Sequence, residues 1–120
     1  MAKADSRSVQ VRICDDAVAI LSEAAKTFVP KLTMAQACEM VIKLGQDEVF
    51  GPPDVDFERW HEGRGTTSPW TRRIATWAAD ALKQLAEDSG KSQSDFLEWL
   101  LFAYARTKLP AMLPISFRRG

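Results

Sequence analysis

The sequence predicts a mainly α-helical fold that carries one two-stranded antiparallel β-ribbon and is assembled from two similar halves. Three observations predict it. Residues 8–26 and 69–87 align without a gap at an offset of 61, with identities at Arg12 and Arg73, Ile13 and Ile74, Ala17 and Ala78, Leu21 and Leu82, and Ala25 and Ala86. The first copy opens on strict apolar and polar alternation, and each copy continues into a stretch whose apolar residues recur at helical spacing. A second helical stretch follows in both. The expected architecture is two short antiparallel strands and four main helices in a pseudo-two-fold unit.

In the first copy Val9, Val11 and Ile13 alternate with Ser8, Gln10 and Arg12, the period of a strand with one buried face. Asp15 is then placed to cap a helix whose apolar stripe is Ala17, Ile20, Leu21, Ala24, Ala25 and Phe28. Pro30 stops it. Thr33, three positions before Gln36, forms a capping-box pattern opening a helix with an apolar face of Ala37, Cys38, Val41, Ile42 and Leu44, and Gly45 is placed to end it.

In the second copy Thr76 takes the cap position, and Ala78, Ala81, Leu82, Leu85 and Ala86 rebuild the stripe. Gly90 breaks the chain, and Ser92, three residues before Asp95, opens a last helix that buries Phe96, Leu97, Leu100, Leu101 and Tyr104 before Pro110. Beyond Leu44 the best offset between copies becomes 59, so the turn between helices is two residues shorter here. The expected organisation is a first repeat over 1–45, an acidic Gly- and Pro-rich linker over 46–68, a second repeat over 69–106 and a basic tail over 107–120, all in one compact domain. Within the linker a short helical turn near Asp56 to His61 is expected, pinned by Phe57 and Trp60; the tail should be extended or irregular.

The 120 residues, 46% of them hydrophobic, suffice for one real core. No apolar run approaches the roughly 20 residues of a membrane span, and MAKADSRSVQ lacks the apolar stretch of a secretory signal, so a cytoplasmic protein without membrane contact is expected. Cys14 and Cys38 are spaced unlike a metal clip and read as small buried residues in a reducing compartment. His61, the single histidine, lies in the acidic linker with no nucleophile at a recognisable spacing and reads as a surface residue. Gly63 and Gly65 lack the third glycine and the preceding strand of a phosphate loop. Trp60, Trp70, Trp77 and Trp99 read as core and linker anchors. No catalytic residue, metal ligand, cofactor or small-molecule substrate is expected.

Formal net charge is zero, but it is not evenly spread. Residues 1–13 carry +2, 69–77 carry +2 and 106–120 carry +4, whereas 14–44, 45–68 and 78–105 carry −1, −4 and −3. Screening confines electrostatic interaction to roughly 10 Å in ordinary salt, so a neutral chain can present a basic face. Here the positive charge falls on the two candidate strands and the tail.

The order strand, helix, turn, helix, with stretches such as SVQVRICDDAVAILSEAA and LKQLAEDSGKSQSDFLEWLL, resembles the ribbon-helix-helix family of prokaryotic DNA-binding proteins over residues 8–44 and 70–105. The resemblance implies that paired strands enter the major groove of double-stranded DNA. Carried over by position, the outward residues reading base edges are Ser8, Gln10 and Arg12 in the first half and Thr71 and Arg73 in the second. Arg suits guanine, Gln suits adenine, and Ser or Thr can bond either way. It also implies phosphate held by the amides at the start of each second helix, around Thr33, Met34 and Ala35 and around Ser92, Gln93 and Ser94.

Arg72 departs from the pattern, because it occupies the place where Val11 faces inward. Three arrangements fit: Arg72 escapes to the edge while Trp70 and Trp77 cover the gap, the register slips by one residue so that Arg72 faces out, or this half no longer reads bases. The implied function is that of a transcriptional repressor or an accessory protein of plasmid transfer or partition. The alternative is a protein-interaction module of the antitoxin type, using the tail from Arg106 to Gly120. The ribbon can close within one chain or by self-association of two.

Overall fold

The structure, a computed structural model, describes residues 6–117. Residues 1–5 and 118–120 lie outside the described residues, and with them Arg118 and Arg119 of the basic tail. The fold is mainly α-helical with one two-stranded antiparallel sheet.

Strands β1 (Ser6–Cys14) and β2 (Thr67–Ala75) pair along their whole length. Residues directly opposite share a face. The register sets Val9 against Arg72, Val11 against Trp70, and Arg7 against Ile74. Val9, Val11, Ile13, Trp70 and Ile74 are buried on this inward face. β2 begins two residues before position 69, within the stretch that reads as linker. Pro69 is tolerated because it lies opposite Arg12, whose own N–H points away from the ladder to the Ser94 hydroxyl at 2.9 Å, so a missing N–H at Pro69 removes no ladder bond.

Each strand runs directly into a helix: β1 into α1 (Asp15–Thr27) and β2 into α4 (Thr76–Ser89). This corrects the roles expected of Asp15 and Thr76. The N-cap positions are Cys14 and Ala75, no side chain caps either helix, and Asp15 and Thr76 already have helical backbone because no loop residue intervenes. Asp15 and Asp16 still favour the positive end of the helix dipole.

Helix α2 (Met34–Gln46) opens on the expected capping box, with the Gln36 N–H donating to Thr33 Oγ1 at 3.1 Å and the Thr33 N–H donating to Gln36 Oε1 at 2.9 Å. Gly45 does not end α2; it lies inside it. A Cβ there would stand 2.5 Å from Leu100 Cδ2, so the glycine serves close approach of α2 to the last helix. Gly90, with φ of 67°, does end α4 in the left-handed conformation.

The linker is more structured than its composition suggests. It contains α3 (Val55–Gly63), whose first turn is capped by Asp54 accepting the Phe57 N–H at 3.1 Å. Phe57 and Trp60 are buried and pack on Trp99 and Phe102. Those rings belong to α5 (Gln93–Lys108), which is buried on every side from Phe96 to Ala105. The tail adds short 3-10 turns at Pro110–Met112 and Ile115–Phe117, buries Leu113, and sets Phe117 edge-on to Phe102 with ring centroids 6.0 Å apart. Helix α2 packs on α4, α5 and β2, while α5 packs on α1 and β1, so the second helix of each half touches the other half's strand. No helix among the described residues is long and apolar enough to cross a membrane.

Candidate nucleic-acid interface

The ribbon's outward face consists of Ser6, Ser8, Gln10 and Arg12 from β1 and Pro69, Thr71, Arg73 and Ala75 from β2, the alternate set to the buried residues. All five residues predicted from sequence to read bases, Ser8, Gln10, Arg12, Thr71 and Arg73, are exposed and lie on it. Among the described residues the two strands contain no carboxylate. Gln10 lies directly opposite Thr71, Ser8 opposite Arg73, and Arg12 opposite Pro69.

The two arginines are held in matching ways. Arg12 Nη2 donates to the Thr67 carbonyl at 3.0 Å, and Arg73 Nη2 donates to the Ser6 carbonyl at 2.9 Å. Arg73 Nε adds a bond to Ser6 Oγ at 3.2 Å. Arg12 and Arg73 are partners at the offset of 61, as are Ser6 and Thr67. Each guanidinium lies across the opposite strand and keeps further N–H donors for a ligand, since it carries five in all.

Arg72 resolves towards the edge without a slip in register. Trp70 and Ile74 stay buried on either side of it, Arg72 is exposed, its guanidinium lies 5.2 Å from the Trp70 ring centroid, and its Nη1 donates to the Thr71 carbonyl at 2.8 Å. Trp77 does not help to cover the gap, being 47% exposed. Arg7, also in the inward phase, is exposed and pairs with Asp80 of α4.

The amides predicted to hold phosphate open α2 and α5. Thr33 and Ser92 are exposed, while Met34, Ala35, Gln93 and Ser94 are half-buried. Ser92 Oγ accepts the Asp95 N–H at 3.0 Å. The amides of Met34, Ala35, Gln93 and Ser94 lie in first turns, where geometry provides no intrahelical acceptor. The two ends differ in charge, because α2 has no acidic residue in its first turn and α5 has Asp95.

Two carboxylates that sequence reasoning missed tie the ribbon to these helices. Glu98 Oε2 of α5 accepts the Cys14 N–H at 2.8 Å, and Glu39 Oε2 of α2 accepts the Ala75 N–H at 2.8 Å. Cys14 and Ala75 correspond at the offset of 61, and Glu39 and Glu98 at the offset of 59, which holds from the N-caps Thr33 and Ser92 onward and so begins before the second helix rather than beyond Leu44. Recurrence of Glu at that second offset was the available signal. Unpaired strand-edge amides need an acceptor, and these side chains supply it.

His61 is not the isolated surface residue its sequence context suggests. It is half-buried, with Nε2 3.0 Å from Asp95 Oδ1 and 3.3 Å from Glu98 Oε1. Arg64 Nε stands 3.1 Å from the same Glu98 oxygen, an ion-pair distance without hydrogen-bond alignment. The cysteines are buried as expected. Burial pushes the Cys14 thiol up to about 11, with a hydrogen bond from the Ala17 backbone opposing and Glu98 adding to the rise, and pushes Cys38 up to about 12 with a smaller contribution from Glu39. Neither suits thiolate chemistry.

A cleft of about 530 Å³ is lined by Gly45, Glu48, Gly51, Pro52 and Pro53 and by α4 and α5 residues such as Leu85, Phe96 and Trp99, none of them on the ribbon. Comparison of the chain with family models, with curated proteins and with solved structures found no match.

Proposed function

We propose that this protein is a sequence-specific double-stranded DNA-binding module in which two ribbon-helix-helix repeats of one chain form a pseudo-two-fold unit. The ribbon's outward face lies in the major groove, with Arg12 and Arg73 on guanines and Gln10, Ser8 and Thr71 reading the bases between them. The starts of α2 and α5 hold flanking phosphates. Its role is that of a transcriptional repressor or of an accessory protein in plasmid transfer or partition.

The observation that carries the reading is the register. Gln10 and Thr71, equivalent residues of the two copies, face one another, so the repeat's two-fold axis would pass through the ribbon's midpoint. The paired arginine contacts and the paired carboxylate caps obey the same relation. A two-fold, arginine-bearing and acid-free β-ribbon matches the local dyad of a duplex, and the width of the major groove, about 12 Å, admits one.

The test is fluorescence anisotropy with labelled duplexes from the region upstream of the protein's own gene, at two salt concentrations. Tight binding that weakens with salt is expected. Arg12→Ala should relax discrimination at one base pair and cost about 1–3 kcal/mol. Unchanged binding of Arg12→Ala on every duplex removes the ribbon as the reader.

A further inference from the structure

We infer that His61, Asp95 and Glu98 form a binding site for a divalent transition-metal ion of the zinc class, independent of the ribbon's outward face. His61 comes from the last turn of α3, and Asp95 and Glu98 stand one turn apart on α5, facing it. One donor atom from each lies within 4.8 Å of the others. Ligand atoms bonded at about 2.0–2.1 Å to a tetrahedral ion sit roughly 3.3 Å apart. The distances from His61 Nε2 to the two carboxylates, 3.0 and 3.3 Å, match that spacing.

Hydrogen bonds have similar lengths, so the deciding observation is Glu98. Its side chain is fully buried, Oε2 is taken by the Cys14 N–H, and Oε1 points at His61 and Arg64 with no hydrogen bond to either. A buried carboxylate oxygen left in that state is uncommon and calls for a ligand. One imidazole nitrogen between two acceptors can direct its proton at only one of them, and the shorter distance is to Asp95. A metal ion in place of that proton binds the nitrogen and both oxygens together. One imidazole with two carboxylates suits a borderline ion such as Zn²⁺. His61 and Asp95, 24% and 40% exposed at the side chain, leave a route from solvent and an open position for water.

Arg64 opposes the ion. Its Nη1 is tethered to the His61 carbonyl at 2.7 Å, which keeps a positive charge beside Glu98 and lowers the affinity. The other half has no such site, because the positions equivalent to Asp95 and Glu98 at the offset of 59 are Gln36 and Glu39, and the single histidine is His61.

Isothermal titration of the full chain, freed of metal, with Zn²⁺ tests the site, with Co²⁺ absorption as the reporter of coordination. One equivalent should bind, and His61→Ala and Asp95→Asn, at partly exposed positions, should each weaken it by about tenfold or more while the circular dichroism is retained. Arg64→Gln should tighten it several-fold. Absence of saturable binding by the unaltered chain, or binding that His61→Ala leaves unchanged, overturns the assignment. An unchanged affinity in Arg64→Gln places the ion away from Glu98 and overturns the three-ligand site.

Discussion

Helices α2 and α5 occupy equivalent places in the two halves and make the same bond to the ribbon, yet they live in different surroundings. Glu39 caps the Ala75 amide from a half-buried position; Glu98 caps the Cys14 amide from full burial beside Arg64 and His61. Trp99 and Phe102 of α5 are buried under α3, whereas Met40 and Lys43, their equivalents at the offset of 59, are exposed. At other positions the two helices agree: Cys38 with Leu97, Val41 with Leu100 and Ile42 with Leu101, all buried. The two helices are thus alike at these buried positions and differ where α3 and the tail add a layer to α5 alone.

Substitution of the paired positions measures that difference. Trp99→Ala opens a cavity against Phe57 and Phe102 and should cost about 3–5 kcal/mol in urea unfolding, while Met40→Ala should stay within about 0.5 kcal/mol. Equal effects would mean that α3 contributes no stability. Glu98→Ala should cost about 3 kcal/mol, because it strips a buried acceptor from Cys14 and a counter-charge from Arg64. Glu39→Ala removes a hydrogen bond of the same length from a wetter place and should cost about 1 kcal/mol. Here the ratio of the two costs is the readout, and a value near one would show that burial of the Glu98 cluster carries no energetic weight.

The strand and helix patterns of the first half were largely legible in the sequence. Alternation at Val9, Val11 and Ile13 and the stripe of α1 identify buried faces directly, because period fixes which side chains point together. The capping box at Thr33 and Gln36 was readable for the same local reason. What could not be read depends on contacts distant in sequence. Gly45 looked like a stop signal because its reason lies in Leu100. His61 looked isolated because its partners are 34 residues away at Asp95 and further at Glu98. Trp99 and Phe102 fall off the α5 stripe and are buried only because Phe57 and Trp60 return from the linker.

The ribbon itself invites a finer test, since Arg12 and Arg73 are held alike but their strands are not. β1 buries Val9, Val11 and Ile13 in strict alternation, while β2 breaks the pattern at the exposed Arg72. If both strands read DNA, Arg73→Ala should weaken binding by about 1–3 kcal/mol, as Arg12→Ala should, with lost discrimination at a base pair on the other side of the dyad. Footprinting on an operator altered one pair at a time locates each position. A full loss from Arg12→Ala with none from Arg73→Ala would assign reading to β1 alone and leave β2 as its structural partner.

The smallest effect concerns the thiols, and it also compares the two regions, because Cys38 lies deep on α2 while Cys14 sits at the junction of β1 with α1. Both ionise near 9.0 ordinarily, but burial holds Cys14 to about 11 and Cys38 to about 12 in the folded chain. Between those values the unfolded chain has released protons that the folded chain keeps, so stability must fall as pH rises. The slope should approach about 1.4 kcal/mol per pH unit for each thiol above pH 9. Urea midpoints measured from pH 8 to 10.5 should therefore decline, and Cys38→Ala should make the decline shallower. Midpoints that stay level in the unaltered chain over this range would mean that the thiols ionise as readily folded as unfolded, contrary to their burial in the core.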